Sequence, residues 1–504
     1  MQLKKFLNIT SLLTMVWMLS ACNPKEATIP EQQHIKNLPE ISMMLNLHTP
    51  EVPNERIRLL LEEKTGTKLD IQWVPDNNYN DRLNTAFATG TLPDVVLMGF
   101  PTFLQYKDMI RDEQFWEIGP YLNEYENLRK LDSKTLTTTL VDEKLYTLYQ
   151  GRPVSRQGII YRKDWADNLK LTAPRSTEEF LEMARAFTED DPNQSGKADT
   201  IGLVDRSDLM YGAFKTISSW FGTPNEWGMK DGKLLPEFMF EEYMQTLDFV
   251  KKIHENGYMN NDFPVTSKTD QRSMFKNGVA GMYVGSMEDV ESLYLEAKEH
   301  NPSIEFDVHN YVEGPNGRYQ IWGIPGFASV VLFPKSSVKT EEELKIILSF
   351  YDYLMKPEIA NILIWGIEGE HYTVQNGKAK ISEDRRSFER EVRPYLSMEI
   401  GEPETNGRLE RFNEYEPAIK AQELNIDNEK YVISNPALTL DSETQLLDGE
   451  RLSEMIEDAT YKYILGQIDR QGFERTIETW KAEGGLKIID ELNAPRKTSR
   501  NLAQ

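Results

Sequence analysis

The chain has 504 residues, of which 39% are hydrophobic and 10% aromatic, and its formal charge is −24. This length and composition allow more than one substantial core, which excludes a disordered or fibrous protein and predicts two domains or one large bilobal unit. The acidic charge disfavours nucleic acid as a partner, because phosphate binding depends on a basic surface.

The first 21 residues have the pattern of an export signal. Lys4 and Lys5 precede an apolar run over residues 6–19, and small residues follow just before Cys22. The apolar run is shorter than the roughly 20 residues that a spanning helix needs, so a transmembrane anchor is the weaker alternative. We therefore expect residues 1–21 to be a lipoprotein signal peptide.

Residues 19–22, Leu-Ser-Ala-Cys, resemble a bacterial lipobox, in which the cysteine thiol carries a diacylglycerol and the chain is cut just before it. Cys22 is the only cysteine in the sequence, so the exported body uses no disulfide, and acylation best explains the thiol. The alternative is an ordinary secretory signal followed by an incidental cysteine. Residues 22–39 are polar and contain proline, which predicts a tether.

Strand and helix patterns alternate past the tether. Residues 41–48 form a compact apolar run, residues 54–66 have helical spacing and end at glycine, and residues 68–75 alternate in the β period. Residues 79–90 predict a second helix that ends at glycine, and residues 93–99 a third strand. Such a unit forms a parallel sheet with helices on both faces, and ligands bind at the carboxyl ends of its strands.

Several segments, in order along the chain, resemble one known family. The turn FATGTLPDVVLM is similar to a turn of the extracellular solute-binding proteins of ABC importers. The later segments resemble the Gram-positive lipoprotein branch of that family, which is related to oligosaccharide and alginate binders. The matching segments are residues 87–98, 158–171 with RKDW, 275–286, 365–378 with GIEGEHY, and 463–495.

The resemblance implies an α/β fold of the periplasmic-binding-protein type, with two lobes, a hinge and an interlobe ligand cleft. It implies an N-terminal lobe of residues 40–150 plus about 295–355, and a C-terminal lobe of residues 151–294 plus about 356–504. The chain would therefore cross between the lobes near residue 150, again after about 295, and again near 355.

The function that the resemblance implies is a lipid-anchored protein on the extracellular face of the cell membrane. It would capture a carbohydrate, expected to be an oligosaccharide, and deliver it to the permease subunits of an ABC transporter. We expect a monomer with no nucleic-acid partner. A peptide or another small solute stays open as the cargo.

The polar segment DPNQSGKADT, residues 191–200, has the alternation of oxygen-bearing side chains that a calcium loop requires, with Gly196 at the turn. Similar segments bind calcium in some alginate-binding relatives of the resembled family. The candidate ligands are Asp191, Asn193, Ser195, the Lys197 carbonyl, Asp199 and Thr200, the last of which stands where relatives supply an acid. Gly202 occupies the position of the glutamate of an EF-hand, which predicts a modest structural site. The alternative is a solvated polar turn.

Aromatic residues in apparent loops and strand ends are the candidates for sugar binding, because sugars stack an apolar ring face on aromatic rings. The candidates are Trp220, Trp227, Tyr283, Trp322 and Trp365. We expect three or more of them to line one cleft, although each one taken alone fits a core position better.

A secreted polysaccharide-degrading enzyme is the alternative function, since an exported acidic protein rich in aromatics could be a glycoside hydrolase with paired carboxylates. However, the six histidines are scattered, and the sequence contains neither HExxH nor GxSxG. His371, in the GEH segment, is better interpreted as structural. The sequence therefore predicts no catalytic residues.

Overall fold

The structure, a computed structural model, describes residues 38–494 except residues 48, 50, 76 and 77. Cys22 and the export signal lie outside the described residues. Within residues 38–494 and their four gaps, none of the helices combines the length and the apolar composition of a membrane span.

Strands and helices alternate along the described chain. The strands are β1 (Glu40–Leu47), β2 (Lys68–Pro75), β3 (Val95–Gly99), β4 (Leu148–Gly151), β5 (Gln157–Arg162), β6 (Ile201–Val204), β7 (Trp227–Lys230), β8 (Lys233–Pro236), β9 (Ala280–Ser286), β10 (Phe306–His309), β11 (Ile321–Trp322), β12 (Phe327–Leu332), β13 (Tyr372–Gln375), β14 (Lys378–Ile381) and β15 (Val432–Ile433). The α-helices are α1 (Arg56–Thr65), α2 (Tyr79–Thr89), α3 (Phe100–Gln105), α4 (Lys107–Arg111), α5 (Ser133–Thr138), α6 (Lys163–Leu169), α7 (Thr177–Glu189), α8 (Ala213–Trp220), α9 (Glu241–Glu255), α10 (Lys268–Lys276), α11 (Val290–Lys298), α12 (Glu341–Leu354), α13 (Pro357–Trp365), α14 (Arg385–Glu391), α15 (Pro403–Asn406), α16 (Glu416–Asn428), α17 (Glu443–Ile464), α18 (Arg470–Trp480) and α19 (Leu486–Leu492).

The first sheet has five strands in the order β2-β1-β3-β12-β4. β1 is parallel to β2 and β3, while β12 runs antiparallel to both β3 and β4. The carboxyl end of β3 therefore lies at the same edge as the start of β12 and the end of β4. Ligand-binding residues are expected at this edge.

The predicted β-α-β-α-β unit is confirmed. β2 has the predicted bounds, and its burial alternates along most of its length. α1 and α2 each end where a glycine takes the left-handed conformation, with φ of 66° at Gly66 and 68° at Gly90. A Cβ would be strained at these angles, so glycine ends both helices and turns the chain toward the next strand.

The second sheet has four strands in the order β10-β5-β9-β6. β5 is antiparallel to β10 and β9, and β6 is parallel to β9. Every residue of β5 is buried. One face of the sheet packs on a core that contains Trp165 and Phe180, and the other on a core that contains Phe275 and Val290. Because both faces are covered, these strands read as apolar runs without alternation.

The predicted lobe boundaries after residue 295 are wrong. β10 was expected in the N-terminal lobe, but it pairs with β5, and Phe306 and Val308 are buried against the second sheet. Residues 356–400 were expected in the C-terminal lobe, but Ile359 and Tyr395 belong to the core of the first sheet. The apolar faces of these elements fit either core by sequence. Strand pairing with β5 places β10, and packing on the core of the first sheet places residues 356–400.

The chain crosses between the two sheets at residues 151–157, 323–326 and 413–415. The first two crossing segments lie side by side: the Arg152 N–H donates to the Gly326 carbonyl at 2.9 Å, and the Ile324 N–H to the Val154 carbonyl at 2.8 Å. The third begins after Phe412, whose N–H bonds to Ala379 of β14. The crossings expected after 295 and near 355 thus lie later in the chain.

Candidate functional site

A groove lies along the first two crossing segments, and we call it the crossing groove. Its lining combines aliphatic, aromatic, polar and basic side chains. The lining residues are Arg152, Pro153, Val154, Ser155, Arg156, Gln157, Tyr211, Trp322 and Ile324.

Strand ends of the second sheet position Gln157 and Tyr211 in the groove. Gln157 opens β5 and pairs with Ser286, the last residue of β9. The parallel neighbour β6 ends at Val204, and the turn that follows carries Tyr211. Asp208 shapes this turn, because its carboxylate accepts the Tyr211 N–H at 2.8 Å. The groove therefore lies at the carboxyl ends of β6 and β9, where α/β sheets bind ligands.

Tyr211 and Trp322 form the aromatic part of the crossing groove. Their ring centroids are 5.7 Å apart, and the rings meet at 62°. Trp322 is only 2% exposed and its Nε1 donates to the Thr216 hydroxyl at 3.0 Å, whereas Tyr211 is 45% exposed. Tyr211 thus presents a ring to solvent on a fixed support, and a sugar can stack on that ring.

Two buried polar side chains in the groove have unused hydrogen-bonding capacity. The Ser155 hydroxyl and the Gln157 Oε1 have no hydrogen-bond partner among residues 38–494 as described. Their backbone is held in place, since Asn428 donates from its Nδ2 to the Ser155 carbonyl at 3.3 Å and to the Gln157 carbonyl at 2.9 Å. A buried polar group without a partner is costly, so these atoms are suited to bind ligand hydroxyls or water.

The two arginines of the groove differ in their partners. Arg156 donates to the Glu288 carboxylate at 2.7 Å, and the other oxygen of that carboxylate accepts from Asn425 at 3.1 Å. The guanidinium of Arg152 makes no ion pair or side-chain hydrogen bond with the described part of the chain. Surrounding protein that excludes water, together with the charge of Arg156, lowers the pKa of Arg152. The groove therefore holds one positive charge, that of Arg152, without an ion-pair partner among the residues that the structure describes.

The expectation that three or more of the five candidate aromatics line one cleft is not met in this structure. Of the five, Trp322 alone lines the crossing groove. Trp220 is fully buried on α8 and meets Phe180 edge-to-face at 5.3 Å. Trp365 is buried in the other core, that of the first sheet, where its Nε1 donates to the Leu409 carbonyl at 2.9 Å.

Tyr283 and Trp227 are also buried. The Tyr283 hydroxyl donates to the Asp289 carboxylate at 2.9 Å, and Trp227 lies on β7 within the core that contains Trp220. Sequence reasoning missed Tyr211, which stands in the turn SDLMYG. The signal that could have found it is a tyrosine between turn-forming Asp and Gly directly after a short buried strand.

The polar loop at residues 191–200 brings four of its candidate ligands together. Asp199 Oδ1 accepts from Asn193 Nδ2 and from the Ser195 hydroxyl, both at 3.0 Å. The hydrogen bond from Asn193 is the main cause that lowers the pKa of Asp199. The two carboxylate oxygens of Asp191 accept the Ser195 and Gly196 N–H groups at 2.9 and 3.0 Å.

Thr200 does not belong to this set, which corrects the sequence-based prediction. Its hydroxyl is buried and donates to the Phe187 carbonyl at 2.8 Å, away from the loop. The Lys197 N–H donates to the Ser195 hydroxyl at 3.2 Å. The loop thus offers two carboxylates with neutral oxygens around them. No group of three or more His, Cys, Asp or Glu suited to a metal ion occurs in the described residues.

His371 has a structural environment. It is 1% exposed, and its Nδ1 accepts the Ile367 N–H at 3.0 Å. Its Nε2 lies 3.6 Å from the Glu391 carboxylate. These contacts fix the turn between α13 and β13, away from the crossing groove.

The bacterial extracellular solute-binding protein family model matches residues 52–361. The polygalacturonan/rhamnogalacturonan-binding protein YtcQ of Bacillus subtilis is 41% identical over 464 residues, which cover 92% of each chain. Lipoprotein LipO of the same organism is 33% identical over 471 residues, which cover 91% of this chain and 93% of LipO.

A solved structure shows the same fold. The HMO-binding, ABC-transporter-associated solute-binding protein of Bifidobacterium longum infantis superposes with a TM-score of 0.70 at 14% identity, over 90% of this chain and 98% of that chain. The bilobal α/β fold that the sequence resemblance implied is thereby confirmed. Since the family model covers more than half of the sequence and two relatives are more than 30% identical over nine-tenths of it, the chain belongs to the bacterial extracellular solute-binding proteins.

Proposed function

We propose that this solute-binding protein captures an oligosaccharide in the crossing groove and delivers it to the permease of an ABC importer. The observation that carries this proposal is the composition of the groove: an exposed tyrosine ring beside two buried polar side chains that have no partner among the described residues. A sugar needs both an aromatic platform and hydroxyl partners. The groove has a volume of only about 20 Å³ in this structure, so a sugar enters when the lobes open, and contacts of the bound sugar with both lobes then favour the closed form.

The relatives support a carbohydrate with acidic units. YtcQ, by its name, binds polygalacturonan and rhamnogalacturonan, and it is similar to this chain over nearly the whole length of both. We therefore propose a short pectin-type oligosaccharide that contains uronate as the cargo.

The test exposes the purified protein to oligogalacturonides, to neutral oligosaccharides of equal length and to a peptide mixture. Melting temperature and released products are followed together. We expect an oligogalacturonide to raise the melting temperature without release of smaller sugars. Release over many turnovers would favour the glycoside hydrolase alternative, and stabilisation by peptides alone would overturn the sugar proposal.

The proposed attachment is a lipid on Cys22, which places the protein on the extracellular face of the cell membrane. The lipobox-like residues before Cys22 and the lipoprotein relative LipO support it. In cells grown with labelled palmitate, the wild type is expected to carry the label and to sediment with membranes. Cys22→Ser should lose both properties, and a labelled Cys22→Ser protein would contradict the proposal.

The polar loop is proposed as a structural calcium site of modest affinity. Asp191, Asn193, Ser195 and Asp199 supply oxygens, and only two of these side chains carry a charge, so water or backbone oxygens must complete the six to eight ligands of calcium. Calcium is expected to raise the melting temperature of the wild type and a chelator to reverse the rise. Asp199→Asn should abolish the response.

Asp190→Asn is the matched control for the calcium test. Its carboxylate pairs with Arg185 at 2.9 Å, outside the set of loop ligands, so this variant should keep the calcium response. A wild type whose melting temperature is the same in calcium and in chelator would remove the calcium proposal.

A further inference from the structure

Arg152 differs from Arg156, the other arginine of the crossing groove. The sequence has 81 acidic residues against 57 basic ones, and Arg156 pairs with the Glu288 carboxylate at 2.7 Å. Arg152 lines the crossing groove and has no such partner within residues 38–494 as described. A guanidinium that pairs with no carboxylate can bind an anionic group of a ligand, even in a strongly acidic protein.

The groove holds Arg152 in position through its backbone. The Arg152 N–H donates to the Gly326 carbonyl at 2.9 Å, so the first and second crossing segments are joined at this residue. The next residue, Pro153, restricts the backbone of Arg152 to the extended region. The backbone of Arg152 is therefore fixed, and its side chain alone is free to meet a ligand.

The neighbouring charges do not neutralise Arg152. The charge of the Glu288 carboxylate acts on Arg152, but that carboxylate is already bonded to Arg156 and to Asn425. Arg152 thus contributes a positive charge next to the exposed ring of Tyr211, which also lines the groove.

We propose that Arg152 selects anionic oligosaccharides by binding the carboxylate of a uronate unit while Tyr211 supports a sugar ring. The inference rests on the proposed function and adds to it the residue that distinguishes an acidic sugar from a neutral one. The planar guanidinium matches a carboxylate with two parallel hydrogen bonds, a geometry that an ammonium group cannot reproduce.

The experiment compares two sugars and two proteins by titration calorimetry at one ionic strength. The sugars are an oligogalacturonide and the same oligosaccharide with its carboxyl groups reduced to alcohols. The proteins are the wild type and Arg152→Gln. We expect Arg152→Gln to weaken binding of the acidic sugar roughly tenfold to a hundredfold, and binding of the reduced sugar less than about twofold.

Two further variants make the result specific. Arg386→Gln removes one positive charge from a side chain that is 99% exposed, and it should change neither affinity by more than about twofold. Arg152→Lys keeps the charge but not the planar fork, so it should lose part of the selectivity. If Arg152→Gln does not fold, Arg152→Lys carries the test, and an unchanged selectivity in it would overturn the proposal.

The outcomes separate this inference from the proposed function. If Arg152→Gln weakens both sugars equally or neither of them, Arg152 does not select the carboxylate, although sugar capture stands. If the wild type binds neither sugar, the proposed function and the inference are both overturned.

Discussion

Tyr211 is the ring of the crossing groove that solvent reaches, and its support is Trp322, which is itself held by Thr216. We expect Tyr211→Ala to weaken oligosaccharide binding by about 1 kcal/mol, roughly fivefold in Kd, because the stacking surface is lost while the walls stay in place. Titration with acidic and with carboxyl-reduced sugar should show the same loss for both.

Met210→Ala is the matched control for this prediction. Met210 is the exposed neighbour in the same turn, at 37% exposure, and it does not line the groove. Its truncation should leave the affinity unchanged. Equal losses of affinity in the two variants would indicate that the substitutions disturb the turn, and not that the ring of Tyr211 stacks on the sugar.

Glu402 predicts a pH dependence of stability. Burial raises its pKa from 4.5 to about 7, and the Tyr149 hydroxyl donates to its carboxylate at 2.9 Å. The folded protein therefore holds this proton more tightly than the unfolded chain does. The resulting stabilisation is complete below about pH 4.5 and is lost as the pH rises to about 7.

Glu402→Gln should remove this contribution to the pH dependence. Between pH 5 and pH 8, we expect the melting temperature of the wild type to fall relative to that of the variant. Glu404→Gln removes an exposed neighbouring charge that raises the pKa of Glu402 less than burial does, so it serves as the control and should change the pH dependence only slightly. Parallel curves for wild type and Glu402→Gln would show that the raised pKa is not a stability determinant.

The sequence-based prediction of ligand-binding residues failed where it depended on the burial of a side chain. Trp220 and Trp365 stand near loops in the sequence, yet each ring is buried in a core. Tyr211 and Arg152 could not be found from the sequence. The ring of Tyr211 is supported by Trp322, which is distant in the sequence, and the charge of Arg152 matters because no carboxylate of the described residues forms an ion pair with it. Both features depend on residues that are distant in the sequence, so the local composition around Tyr211 and Arg152 does not predict them.

At the scale of elements, the first crossing segment is closely packed where it begins, at Gly151. A Cβ added there would lie 2.5 Å from the Gly401 carbonyl oxygen and 2.8 Å from a carboxylate oxygen of Glu402. Gly151→Ala should therefore push β4 away from Gly401 and lower the free energy of unfolding by about 1–3 kcal/mol. Denaturant titration measures this loss.

Gly99→Ala is the matched control, because Gly99 also ends a strand at the same edge of the first sheet and a Cβ there meets no atom within 4 Å. Its stability should stay within about 0.5 kcal/mol of the wild type. If Gly151→Ala is as stable as Gly99→Ala, the contact between the strand end and Gly401 can relax without cost.

Elements with strong local signals were predicted to within a residue or two. β2 and the glycine ends of α1 and α2 follow from alternation, helical spacing and left-handed glycines, all of which are local. The lobe to which β10 belongs was not predictable in this way. Its four residues carry too little pattern, and pairing with β5 joins segments that are far apart in the sequence.

At the scale of the whole molecule, Asp441 joins the two halves. Its carboxylate is 3.1 Å from the ammonium of the buried Lys107, and it also pairs with Arg111. Both basic residues belong to α4 on the first sheet, whereas the segment of Asp441 packs on the core of the second sheet through Leu440. These ion pairs favour the arrangement of the halves that the structure shows.

We expect Asp441→Asn to weaken sugar binding by about 1 kcal/mol, roughly fivefold, mainly through faster dissociation, because the halves separate more readily. Stopped-flow fluorescence measures the dissociation rate. Asp142→Asn is the control, since Asp142 pairs with the same Arg111 but lies on the first half. Equal dissociation rates in the two variants would exclude a role for the contact between the halves.

The direction of β1 determines where the chain enters the described body relative to the crossing groove. The described chain enters the body at the start of β1, and the crossing segments lie at the opposite edge of the same sheet, where β3 and β4 end. Eight residues of strand separate the two edges by roughly 25 Å. The proposed lipid attachment, which precedes β1 in the sequence, would therefore join the described body at the edge of the first sheet opposite the crossing segments.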